Sequence, residues 1–123
     1  MKYEIEAWKR TLEFIESENI FLLDHLTDLL KRENENSFIE TAEHYHNLIL
    51  DQLENIRKLR HTILEIEKFQ WIKLYVDGYN GQAIKMKYKR IRRKVLETEE
   101  LFRKIKDEFN NRILQGYDWK ENE

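Results

Sequence analysis

Apolar residues recur along this chain at alternating intervals of three and four. In the first third Ile5, Trp8, Leu12, Ile15, Leu22, Leu26 and Leu29 keep that spacing, with Asn19 as the one polar member. In the last third Ile84, Tyr88, Ile91, Val95, Thr98, Phe102, Ile105 and Phe109 repeat it. Between them run Phe38, Ala42, Tyr45, Ile49, Gln52, Ile56, Leu59, Ile63 and Ile66, after which the stripe drifts onto Phe69, Ile72 and Val76. This spacing puts every member on one helical face and makes each segment a coiled-coil-like seam. It predicts three helices over about 3–33, 38–77 and 82–115.

The breaks have their own chemistry. Proline is absent and the glycines are Gly78, Gly81 and Gly116, so the first 77 residues lack ordinary turn signals. The polar run KRENENS (31–37) separates the first two helices, and Ser37 with Glu40 has the spacing of a capping box. Gly78 suits the left-handed residue that ends a helix, and Asn80 suits the cap that starts the next. Gly116 closes the third helix and leaves a short tail, 116–123. Long helices joined by short loops fold back on one another. The expectation is an all-α, antiparallel up-down-up three-helix bundle forming a single helical domain over 1–123.

Register follows from where each hairpin turns. Folding the first two helices about residues 35–36 sets Asn19 level with Gln52, the polar interruptions of their seams. A buried amide pair of this kind specifies register at some cost in stability. Folding the second and third about residues 79–80 sets Arg92 and Lys94 near Glu65 and Glu67. The same turn sets Glu97, Glu99 and Glu100 near Arg57, Lys58 and Arg60.

Composition narrows the class. Apolar residues are 41% and charged residues 37%, a profile suited to a thin helical rod with much surface to cover. The formal net charge of −2 gives no overall field toward nucleic acid or an anionic membrane. Without cysteine there is no disulfide, thiolate chemistry or cysteine-held metal. MKYEIEAWKR lacks a signal-peptide pattern, and IFLLDHLTDLL is interrupted by Asp24, His25 and Asp28 and is too short to span a bilayer. A cytoplasmic protein without a membrane partner is expected.

One stretch is strongly basic. KMKYKRIRRKV contains Lys85, Lys87, Lys89, Arg90, Arg92, Arg93 and Lys94 and no acid. Two readings compete. Cations in the first turns of a helix oppose its dipole, and Glu4, Glu6, Glu13, Glu16 and Glu18 of the first helix are placed to offset them. Alternatively the run, with Tyr88 interleaved, grips a nucleic acid.

Metal and catalytic chemistry find little support. Glu43 and His46 have the Glu-x-x-His spacing of di-iron bundles, and His61 and Glu65 stand four apart. A di-iron site needs two such units and two further inward glutamates, whereas the seams carry no carboxylate and the third helix no histidine. The serines are Ser17 and Ser37, and DGYNG lacks the lysine and length of a phosphate or calcium loop. No enzyme activity, cofactor, metal or small-molecule substrate is expected.

The apolar surplus is more informative. With Leu12 as position a of a heptad, Phe14 and Phe21 are both at position c, with Ile20 beside them. Further along, FQWIKLYV (69–76) exceeds what one stripe can bury, and Trp71 and Tyr75 share a face with Leu64. Aromatic groups of this kind, away from a seam, mark a partner surface. The expectation is a non-enzymatic helical interaction or scaffold module, self-associating or bound to another helical protein. The expected contact residues are Phe14, Ile20, Phe21, Leu64, Trp71 and Tyr75. WKRTLEFIESENIFLLDHL and LRHTILEIEKFQW, with the basic run, resemble a group of small uncharacterised helical proteins of Bacteroidetes-type bacteria. That resemblance spans most of the chain and implies a bacterial, helical, cytoplasmic protein with no particular activity.

Overall fold

The three-and-four spacing becomes three helices in the computed structural model, which describes residues 2–33, 35–73 and 81–114. Helix α1 spans Lys2–Arg32, α2 Asn36–Lys73 and α3 Gly81–Phe109, and a π-helical turn, Asn110–Leu114, continues α3. At 1.5 Å per residue the three are roughly 44–57 Å long. Among the described residues there is no strand. All three helices pack on one another as a three-helix bundle.

The seams are the core. Every seam residue of α1 is buried, and so are those of α2 from Ala42 to Ile66. In α3 all are buried from Ile84 to Phe109 except Thr98, which is half-buried. Phe38 packs partly buried against this core. Trp8 and Tyr88 meet with ring centroids 5.8 Å apart at one end, and Tyr45 meets Phe109 edge-on at 6.1 Å at the other.

Partner residues report the topology. Along α1, Lys9 meets Glu67, Glu16 meets Arg60 and Asn19 meets Gln52, so α2 runs antiparallel to α1. Glu4 meets Arg92 and Glu18 meets Lys106, both 88 residues apart, so α3 runs parallel to α1. At mid-length the seams carry one polar layer with a residue from each helix. Asn19 Nδ2 donates to Gln52 Oε1 at 2.8 Å, and Gln52 Nε2 donates to the Thr98 carbonyl at 3.1 Å. Asn19 and Gln52 are 0% and 1% exposed, so the expected amide pair is formed and extends to α3.

Four details depart from expectation. Helix α2 starts earlier, because the Glu35 carbonyl accepts the Ile39 N–H at 3.0 Å and so occupies the cap position. Ser37 therefore lies inside the first turn, where its carbonyl accepts the Thr41 hydroxyl, and the Ser37–Glu40 capping box is not the start of the helix. The α2–α3 register is also displaced: Gln52 lies beside Thr98 and Phe69 beside Lys87. Pairing about residues 79–80 sets Gln52 and Phe69 opposite positions 107 and 90 instead, and Glu67 takes Lys9 of α1 in place of Arg92 or Lys94. Finally, strict spacing would bury residue 112 after Phe109, but Arg112 is exposed and Ile113 is 1% exposed. The wider π-helical turn shifts the seam by one residue. The predicted Gly78, Asn80 and Gly116 signals, and the tail, lie outside the described residues.

The polar layer yields a stability test. Asn19→Leu leaves a buried Gln52 oxygen without its donor, at a cost of about 1–3 kcal/mol. The double variant Asn19→Leu/Gln52→Leu removes both partners and is expected to return to wild-type stability or exceed it in urea unfolding. A double variant as unstable as the sum of its singles would contradict the layer.

Candidate functional site

Each helix has two flanks, and the ion pairs identify them. On α1, Lys9 and Glu16 reach α2, whereas Glu4 and Glu18 reach α3. These pairs sit at the edges of the seams, with their side chains partly exposed to solvent. Lys9 Nζ lies 2.9 Å from each carboxylate oxygen of Glu67, and that hydrogen bond raises the lysine pKa above its ordinary value. The guanidinium of Arg92 donates to Glu4 and holds its carboxyl below the usual range. Burial pushes the Tyr45 hydroxyl up, aided by Glu108 beside it at 3.4 Å.

This frame separates the surplus apolar residues. Phe14 and Phe21 are 59% and 63% exposed. Both lie on the α3 flank of α1. Phe14 lines a shallow groove with Arg10, Phe102, Arg103 and Lys106, and Phe21 meets His25 edge-on at 6.2 Å. His25 in turn meets Phe109 of α3 at 6.5 Å. Ile20 stands one turn beyond Glu16 and therefore lies on the opposite, α2 flank. Leu64 stands one turn beyond Arg60 on α2. Because the helices are antiparallel, Ile20 and Leu64 lie on either side of the Arg60–Glu16 pair, about 12 Å apart along the axis. The expected surface thus divides into Phe14 with Phe21 on one flank, and Ile20 and Leu64 separately on the other. Trp71 belongs to α2, but its side chain, like Tyr75 as a whole, lies outside the described residues.

The basic run divides too. Arg92 is tied to Glu4 of α1, Arg93 to Glu97 on its own helix at 3.7 Å, and Lys87 sits 4.8 Å over the Phe69 ring of α2. Lys85 and Lys89 share the α1 flank with Arg92, while Lys94 lines a second groove with Asn55, Thr62 and Leu101. Among the described residues, Lys85, Lys89, Arg90 and Lys94 make no ion pair. Among the described residues the run is thus partly neutralised, once by α1 through Glu4 and once within α3 through Glu97. Glu16 and Glu18 pair with Arg60 and Lys106 instead.

Sequence reasoning passed over several exposed residues: Leu50, Leu96, Leu101 and Met86 are 42%, 53%, 43% and 63% exposed. Their signal is leucine or methionine at heptad positions off the a–d seam, detectable by the same count that singled out Phe14. Titratable groups line both grooves, Lys58, Lys94 and Glu97 in one and Arg10, Glu99, Arg103 and Lys106 in the other. Among the described residues, no group of three or more His, Asp or Glu is placed to hold a metal ion, and no helix is long and apolar enough to cross a membrane. Compared with known protein families, curated proteins and solved structures, the chain matches none.

The Glu4–Arg92 pair carries a pH dependence. A depressed carboxyl pKa contributes stability that is present above its ordinary value of 4.5 and is lost as pH falls through the lowered one. Glu4→Gln is therefore expected to unfold at lower urea than wild type at pH 7. The two midpoints converge as pH drops below 4.5, and a gap that persisted through that range would contradict the assignment.

Proposed function

We propose that this chain is a non-enzymatic helical interaction module that self-associates through the exposed aromatics of α1. The observation that carries this reading is the exposure of Phe14 and Phe21, one heptad apart on a helix whose seam is otherwise fully buried. Their ring faces are available although the chain could bury aromatics elsewhere. Burying such a side chain contributes about 1.5–3 kcal/mol, so two per copy suffice to drive association. Phe21 is also held edge-on by His25, which limits the ordering a partner must impose. Light scattering across micromolar to millimolar concentration is expected to show a mass that rises to that of a dimer. Phe14→Glu with Phe21→Glu is expected to abolish the rise while leaving the helical circular dichroism unchanged. A mass that stayed monomeric in wild type would refute the reading.

A second reading draws on a separate observation. Lys85, Lys89, Arg90 and Lys94 lie within three turns of α3 without ion-pair partners among the described residues. Such a cluster supports contact with phosphates, whose strength falls steeply with salt. A low-salt gel shift lost on Lys85→Glu/Lys89→Glu and on added salt would favour it. No retardation of DNA or RNA at low salt would remove it.

A further inference from the structure

The face of α1 directly opposite its seam has a pattern that neither the fold nor the ion pairs use. Tyr3, Arg10, Ser17, Asp24 and Lys31 recur every seven residues, the last four each five positions after an a position, and all are exposed. Ser17, the smallest, stands at the centre. Seven residues to either side stand Arg10 and Asp24, of opposite charge. Fourteen to either side stand Tyr3, 91% exposed, and Lys31, a ring and a cation. Phe14 and Phe21 flank the centre by three and four residues.

We propose that this stripe binds the same stripe of a second copy, antiparallel, about a two-fold axis at Ser17. The proposal rests on the self-association advanced above and adds its geometry. About such an axis a residue n faces roughly 34 − n of the other copy, because the pattern is centred on Ser17. Arg10 then faces Asp24, Tyr3 faces Lys31, and Phe14 lies against Phe21. The small Ser17 lets the two helices approach at the centre. A parallel pairing of the same stripes would set Arg10 on Arg10 and Asp24 on Asp24, so charge selects the antiparallel arrangement.

Two features of the chain agree with an occupant of this kind. The charged residues of α1 that serve the bundle, Glu4, Lys9, Glu16 and Glu18, all lie on its flanks. On the stripe itself, Arg10, Asp24 and Lys31 form no ion pair among the described residues. Nor can Arg10 and Asp24 satisfy each other within one chain, since they stand roughly 21 Å apart along α1. The second feature is the shallow groove between α1 and α3, lined by Arg10, Phe14, Phe102 and Arg103. The antiparallel register brings Phe21 of the second copy to this groove, and symmetry fills both grooves at once.

Charge reversal tests the geometry. Arg10→Asp and Asp24→Arg are each expected to weaken dimerisation about tenfold or more in sedimentation equilibrium, and the double variant to restore it toward wild type. Because the chain has no native cysteine, Ser17→Cys provides a second readout. On oxidation it is expected to form a disulfide-linked dimer, while Asp51→Cys on the outer side of α2 stays uncross-linked. A double variant no better than the singles, with no cross-link at position 17, overturns this geometry even if wild type dimerises. A wild-type chain that remains monomeric overturns both the geometry and the self-association on which it rests.

Discussion

Three polar groups at the middle of an apolar core decide how this chain is assembled. Asn19, Gln52 and the Thr98 carbonyl form a layer with one member from each helix, and the two amides are excluded from water. An apolar seam alone tolerates sliding by a heptad, because leucine packs about as well against one leucine as against the next. An amide in that seam does not, since a slip leaves a buried donor or acceptor unmatched. The layer therefore ties position along α1 to position along α2 and α3. Within the layer Asn19 Oδ1 remains buried without a hydrogen bond among the described residues, a cost consistent with specificity gained at the expense of stability.

What the layer aligns, the seam edges then use. With register set, Lys9 and Glu16 fall opposite Glu67 and Arg60, and Glu4 and Glu18 fall opposite Arg92 and Lys106. Helix α1 is thus tied on both flanks, acids serving both neighbours. The α2–α3 contact has no ion pair between its helices among the described residues; apolar packing, the Gln52 bond, the Tyr45–Glu108 contact and Lys87 over the Phe69 ring hold it. Beyond those ion pairs α1 keeps one outer face with Arg10, Asp24 and Lys31, bordered on its α3 side by the exposed Phe14 and Phe21.

Much of this was legible in the residue order. The alternation of three and four is a direct imprint of helix geometry, so every residue from Ala42 to Ile66 on the α2 seam could be placed before any contact was known. Asn19 and Gln52 could be paired because each interrupts its seam once. The α2–α3 register was less accessible, since it depends on where α2 ends, and Phe69 facing Lys87 rather than Arg90 shows the shift. Ile113 was missed because a π-helical turn breaks the period on which the counting relies. The expected contact surface grouped Ile20 with Phe14 and Phe21 by proximity in sequence. Positions b and c of a heptad lie on opposite flanks, and only knowledge of which neighbour stands on which flank separates them.

The dependence of the whole arrangement on the buried layer is open to one direct observation. Side-chain amide hydrogen exchange followed by NMR distinguishes an amide locked in a core from one at the surface. The Asn19 and Gln52 side-chain amides are expected to exchange far more slowly than those of the exposed Asn47 and Asn55, with cross-helix contacts between Asn19 and Gln52. Exchange of Asn19 and Gln52 as fast as Asn47 and Asn55 would contradict the buried layer.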